Sequence, residues 1–251
     1  MTDPITRSPD HSITRFPVLN AIVDVDVAER AGWTPLDLAS AYLNGGARFL
    51  QVRAKSLAGG AFLDLATRIV ELGRDAGAIV VVNDRADVAR LSHADGVHVG
   101  QEDLSPAAAR AIVGPDGVVG LSTHTEAQID GALDQPISYL AVGPIFGTST
   151  KATRFDAVGL ERVSYAAGKV RLKADPTTVT HVGSGRTVDV GSAFRRTVDI
   201  VAIGGITLDN IADVIQAGAT SAAVISDLLA TGDPEARVRA YLERVRQGAK
   251  V

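Results

Sequence analysis

The sequence predicts a parallel α/β protein, and within that class a closed (β/α)8 TIM barrel. Short apolar runs rich in β-branched residues recur eight times, each of the length of a buried strand. Alanine-rich segments with helical periodicity lie between them, and strands alternating with helices form right-handed βαβ units on a parallel sheet. Eight units suit one closed barrel. The competing arrangement, a doubly wound open sheet, draws no support from a GxGxxG after the first run.

The elements follow in order. The first run spans 18–23, and Thr34 before Pro35 marks the start of a helix expected over 35–44. The run 49–52 leads to a helix over 60–76, and the run 79–82 to one over 86–91. After the run 96–99, Ser105 and Pro106 start a helix over 105–112. The run 118–121 precedes a helix over 125–133. The sixth run, 139–142, is broken by Gly143-Pro144 and opens a hydroxyl-rich loop ending in Lys151, ahead of a helix over 159–167. The run 200–203 precedes a helix over 208–217 with Thr207 as the expected cap. The last run, 222–225, precedes a helix over 234–246 started by Asp233-Pro234.

Composition narrows the function. The chain has 251 residues, 46% of them hydrophobic, enough for one large core. A formal charge of -4 gives no general attraction for nucleic acid or anionic membranes. With no cysteine, disulfides, thiolate catalysis and cysteine-bound zinc are excluded. No apolar run has the roughly 18 residues of a membrane span. The polar, proline-broken N-terminus lacks the apolar core of a signal peptide, so a cytoplasmic location is expected. Residues 1–16 read as a disordered arm, and 17–251 as a single barrel domain.

In such a barrel the chemistry lies at the C-terminal ends of the strands. The polar residues there are Gln51, Arg53 and Lys55 after the second run, and Asn83 and Asp84 after the third. His98, Gln101, Glu102 and Asp103 come with the fourth, then Ser122, Thr123 and His124 with the fifth. Thr148, Thr150 and Lys151 follow the sixth, Gly204-Gly205 the seventh, and Ile225-Ser226 end the eighth. Three cations (Arg53, Lys55, Lys151) face two carboxylates (Asp84, Asp103). That inventory suits a Mg2+-bound polyphosphate: carboxylates hold the metal, while cations and hydroxyls take phosphate oxygens. Gly204-Gly205 permits the close backbone approach of a second phosphate site. Simpler roles compete: Arg53 as an ion-pair partner of Asp84, Asp103 as a helix cap, Asn83 as a backbone partner at a strand end, and His98 as a hydrogen-bonded residue of the barrel interior. Shared placement at strand ends carries the functional reading.

At these residues the sequence resembles the thiamine phosphate synthase family. The matching motifs are QVRAK (51–55), VND (82–84), GVHVGQEDL (96–104), GLSTH (120–124), VGPIFGTSTK (142–151), AIGGI (202–206) and VIS (224–226). The resemblance implies a Mg2+-dependent transferase. It would join 4-amino-5-hydroxymethyl-2-methylpyrimidine diphosphate to a thiazole phosphate, giving thiamine phosphate and pyrophosphate. It further implies Arg53, Lys55, Asn83, Ser122 and Lys151 as diphosphate ligands, with Lys151, Ser122 and Arg53 catalytic, and Gln51 as a pyrimidine contact. Asp84 and Asp103 would hold Mg2+, Thr148 and Thr150 would lie near the thiazole, and Gly205, Ile225 and Ser226 would bind its phosphate. Two other functions fit the same barrel: a thiazole tautomerase using His124 as acid or base, and a non-catalytic barrel that binds a thiamine precursor.

One departure stands out. The sixth and seventh runs begin about 60 residues apart, against about 20 to 30 for most others. The excess, about 171–196, carries alternating β-branched residues around Gly183-Ser-Gly185 and reads as a hairpin insertion. Its expected place is away from the catalytic face, where it would serve subunit contact in a homo-oligomer or have no role in catalysis.

Overall fold

Strands shielded by helices on one side and by one another on the other become apolar on both faces, which is why these runs are continuous rather than alternating. The computed structural model describes residues 16–147, 156–174 and 198–248. Its strands are β1 (Leu19–Asp24), β2 (Phe49–Arg53), β3 (Ile79–Asn83), β4 (Gly96–Val99), β5 (Val118–Thr123), β6 (Tyr139–Val142), β7 (Asp199–Ile203) and β8 (Ser221–Val224). They are parallel and close in sequence order, β8 pairing back onto β1. The helices are α1 (Val25–Arg30), α2 (Pro35–Asn44), α3 (Gly59–Asp75), α4 (Ala86–Leu91), α5 (Pro106–Val113), α6 (Glu126–Ala132), α7 (Gly159–Ala174), α8 (Ile211–Gln216) and α9 (Pro234–Gly248).

Alternation sorts the side chains. Outward-facing Ala21, Val23, Leu50, Val52, Val80 and Val82 pack beneath the helices in one large core. Inward-facing Ile22, Phe49, Val81, Val118, Tyr139, Ala141, Val201 and Ala223 fill the barrel. The next inward positions toward the C-terminal mouth are polar: Asp24 and Arg53 pair in register, and Asn83 pairs with His98. The apolar interior therefore ends where the candidate site begins.

Four local expectations need correction. Phe16 does not belong to a disordered arm: it is buried at the base of the barrel, 5.0 Å from the Phe49 ring and 5.2 Å from the Tyr139 ring. Residues 1–15 lie outside the described residues. The segment 171–174 is not inserted chain, because α7 continues to Ala174; the hairpin expected beyond it lies outside the described residues. Thr207 does not cap α8. Asn210 occupies that position, and its Oδ1 accepts from the Thr207 amide at 2.9 Å. Finally, the helix α1 after β1 was not expected. Asp24 caps it, accepting from the Val27 amide at 3.1 Å. Thr34 and Ser105 cap α2 and α5, and Asp233 accepts from the Ala236 amide at 2.9 Å.

Candidate active site

An open cavity of about 1100 Å³ occupies the C-terminal mouth of the barrel. Gln51, Arg53, Lys55, Asn83, Asp84, Asp103, Ser122, Gly205, Ile225 and Ser226 all line it, as do His98 and His124. Residues from six strand ends, those of β2 to β5, β7 and β8, thus converge on one volume. Thr148, Thr150 and Lys151 lie outside the described residues. The chain on either side of them is tied to the mouth: the Val158 amide donates to the Pro144 carbonyl at 2.8 Å, and that of Gly159 to Ile145 at 3.0 Å.

The cations differ in environment. Arg53 pairs with Asp24, not with Asp84 as one sequence reading allowed, because adjacent parallel strands place Asp24 and Arg53 in register. This pair is largely buried, with side-chain exposures of 13% and 3%. Asp24 Oδ1 caps α1 while Oδ2 takes the guanidinium, so one carboxylate fixes both a helix and a cation. Arg53 Nε is buried beside the cavity without a partner among the described residues, a donor available to an anion. Lys55 instead pairs with Asp84 at the rim and is 53% exposed. An exposed pair of this kind contributes about 0–1 kcal/mol, so a ligand can exchange it at little cost.

Asp84 and Asp103 form the acidic side. Asp84 has φ of 63°, a left-handed conformation uncommon outside glycine, and its amide donates to the His98 carbonyl at 2.7 Å. Asp103 does not cap α5, a place taken by Ser105; its Oδ2 accepts from the Gly100 amide at 2.8 Å. Desolvation pushes the Asp103 carboxyl above its ordinary range, and the neighbouring Asp84 carboxyl adds to the shift. Two facing carboxyl groups with hard oxygen donors fit a Mg2+ ion, which relieves their mutual repulsion. Among the described residues no group of three or more acidic or imidazole side chains converges, so Asp84 and Asp103 would hold such a metal together with substrate oxygens and water.

On the opposite side of the mouth, glycines let the backbone come close. Gly204 and Gly205 have φ of 100° and 64°. A Cβ on Gly205 would stand 2.6 Å from the Gly147 carbonyl oxygen, and one on Gly204 2.6 Å from Pro144. The 145–147 loop therefore lies directly on the end of β7, with Ile145 and Phe146 amides donating to the Ile203 and Gly204 carbonyls at 2.8 and 3.0 Å. Beside it, the short 3-10 helix Ser226–Leu229 is held by Asp227, which accepts from Arg237 at 2.8 Å and from the Tyr241 hydroxyl.

The histidines separate in role. His98 points into the barrel, as the simpler reading has it, with Nδ1 2.9 Å from the Tyr139 hydroxyl and Nε2 2.9 Å from Ser122 Oγ. His124 Nδ1 stands 2.6 Å from the Gly143 carbonyl oxygen, which can only accept, so this nitrogen carries the proton.

Sequence reasoning missed Asp24 and Tyr139. Asp24 had a usable signal, since it directly follows the first apolar run. Tyr139 had none, because an aromatic at the start of a strand reads as core.

The model for thiamine monophosphate synthase matches residues 20–228. A thiamine-phosphate synthase of Roseiflexus sp. is 38% identical over 227 residues, spanning 90% of this chain and 85% of that protein. One from Chlorobium luteolum is 34% identical, spanning 90% and 92%. The solved structure of thiamine phosphate pyrophosphorylase from Pyrococcus furiosus superposes with a TM-score of 0.74 at 24% identity, covering 94% of this chain and 99% of that one. With a matching family model over most of its length, and with the strand-end residues of its motifs gathered at one barrel mouth, the chain belongs to the thiamine monophosphate synthase family, transferases of thiamine biosynthesis.

Proposed function

We propose that the protein is a Mg2+-dependent thiamine-phosphate synthase acting on 4-amino-5-hydroxymethyl-2-methylpyrimidine diphosphate and a thiazole phosphate. The observation that carries this reading is the juxtaposition of Arg53 and Lys55 with Asp84 and Asp103 in one cavity. Such a set serves a diphosphate leaving group. An isomerase has no leaving group to serve, so the tautomerase reading leaves these cations without a task.

Arg53 Nε, Lys55, Asn83 and Ser122 would bind the diphosphate oxygens, with Lys151 as a further cation. As the carbon–oxygen bond breaks, charge grows on those oxygens, so fixed donors stabilise the transition state more than the ground state. Bound Mg2+ would be held by Asp84 and Asp103 and would supply further neutralisation of the departing pyrophosphate. Thr148 and Thr150 would flank the thiazole. Gly205, Ile225 and Ser226 would bind its phosphate through backbone donors, placing the ring nitrogen against the pyrimidine-methyl carbon. Heterolysis requires no nucleophilic side chain and no general base.

The test is incubation with both substrates and Mg2+, following pyrophosphate and thiamine phosphate. Lys151→Ala should lower single-turnover pyrophosphate release by about 10² to 10³, and His124→Ala by much less. Loss of activity in His124→Ala with a near-silent Lys151→Ala would replace the synthase by the isomerase.

A further inference from the structure

Beneath the cavity floor runs a chain of polar side chains that crosses the barrel. Tyr139 is fully buried, stacked over the His98 ring at 5.5 Å and 18°, with Phe49 edge-on at 5.7 Å. Its hydroxyl meets His98 Nδ1 at 2.9 Å, and His98 Nε2 meets Ser122 Oγ at 2.9 Å. The Gln51 side chain also bonds to the Tyr139 hydroxyl. Space for the ring is built in: a Cβ on Gly120 would stand 2.1 Å from it. Of the four residues in the chain, Gln51, His98 and Ser122 face the cavity.

A neutral imidazole carries one N–H, so the chain can run in either of two directions. In one, Gln51 Nε2 donates to the tyrosine oxygen, the tyrosine donates to His98 Nδ1, and His98 Nε2–H donates to Ser122. The serine hydroxyl is then left to donate into the cavity, and Gln51 Oε1 is left to accept there. In the other, every bond reverses: Ser122 offers only lone pairs to a ligand, and Gln51 offers only N–H. The first direction suits an oxyanion near Ser122 and an amino-bearing heterocycle near Gln51. Burial pushes the Tyr139 hydroxyl far above its ordinary range, so it stays protonated and has one O–H to give to the chain.

We propose that His98 is a positioning residue: held by Tyr139 as the Nε2–H tautomer, it aims the Ser122 hydroxyl proton and the Gln51 carbonyl into the cavity, ready for an oxyanion and for an amino-substituted ring. The geometry places His98 between Tyr139 and Ser122, and the choice of direction rests on the synthase reading.

The test has two arms. Nitrogen-15 imidazole NMR on the unliganded protein, with His98 assigned by loss of its signals in His98→Gln, should show Nδ1 unprotonated and Nε2 protonated. An Nδ1–H tautomer overturns the proposal, whatever the enzyme's activity. In the kinetic arm, glutamine can place an N–H near the position of Nε2, whereas asparagine reaches only that of Nδ1. His98→Gln should retain at least a tenfold advantage over His98→Asn in kcat/KM for the pyrimidine diphosphate, with His98→Asn close to Ser122→Ala. Equal loss in both His98 variants overturns the positioning role. A wild-type protein that shows the Nε2–H tautomer but releases no pyrophosphate would refute the synthase reading alone.

Discussion

The two sides of the barrel mouth are made of different material. Around β2 to β5 the cavity wall is side chain: Arg53, Lys55, Asn83, Asp84, Asp103 and Ser122. Around β6 to β8 the described wall is mostly uncharged, with Gly143, Gly204 and Gly205 beside Ile203, Ile206, Val224 and Ile225. A side-chain wall can carry full charges and suits a group whose charge changes during reaction. A mostly uncharged wall with exposed glycine backbone offers fixed dipoles and suits a group that is only held. Among the described residues, the first side should therefore respond to loss of charge, and the second to added volume.

Arg53→Met should have the largest effect, because it also strands Asp24. Leaving that buried carboxylate unpaired should cost about 3–5 kcal/mol of folding stability in urea denaturation, together with most of the activity. Adding Asp24→Asn should recover stability but not turnover. A stability change below about 1 kcal/mol in the single variant would show that the pair is not the anchor of this wall.

Asp103→Asn should lower turnover by about 10- to 100-fold and move the Mg2+ activation curve to higher concentration, while leaving the fold intact. A curve that superposes on wild type would remove this carboxylate from the metal site.

Gly205→Ala probes the other wall. The left-handed backbone and the 2.6 Å approach to Gly147 oxygen leave no room for a methyl group. The KM for the thiazole phosphate should rise about tenfold, with a much smaller change for the pyrimidine diphosphate. Equal changes for both substrates would mean that the two walls do not divide the ligands.

The smallest effect belongs to replacement of residues 175–197 by a short Gly-Ser linker. Helix α7 runs back from the mouth to Ala174, and β7 begins at Asp199 on the opposite end of the barrel. Both Michaelis constants should stay within about twofold of wild type. A tenfold rise in either, with the protein folded, would bring that segment to the catalytic face.

The two walls also differ in how far they could be read in advance. Charged residues directly after apolar runs announced themselves, so Arg53, Lys55, Asp84 and Asp103 were legible as one set, and with them a site at the mouth. Their pairing was not. Asp24 takes Arg53 because strands β1 and β2 are in register, and that register is a property of the closed sheet. The glycine wall was legible only as permission: Gly204-Gly205 allows a close approach, but that the 145–147 loop makes it is visible only in the fold.

By itself, the sequence determined the barrel, the order of its strands and many of the polar residues at its mouth, though not Asp24, because hydrophobic period and cap chemistry are local and act through near neighbours. Tertiary structure alone decided which of those residues meet. Phe16 reads as the end of a polar arm, yet closes the base of the barrel; Tyr139 reads as core, yet holds the His98 ring under Ser122. Contacts of this kind join residues far apart in the chain, and closure of the sheet supplies the geometry that brings them together.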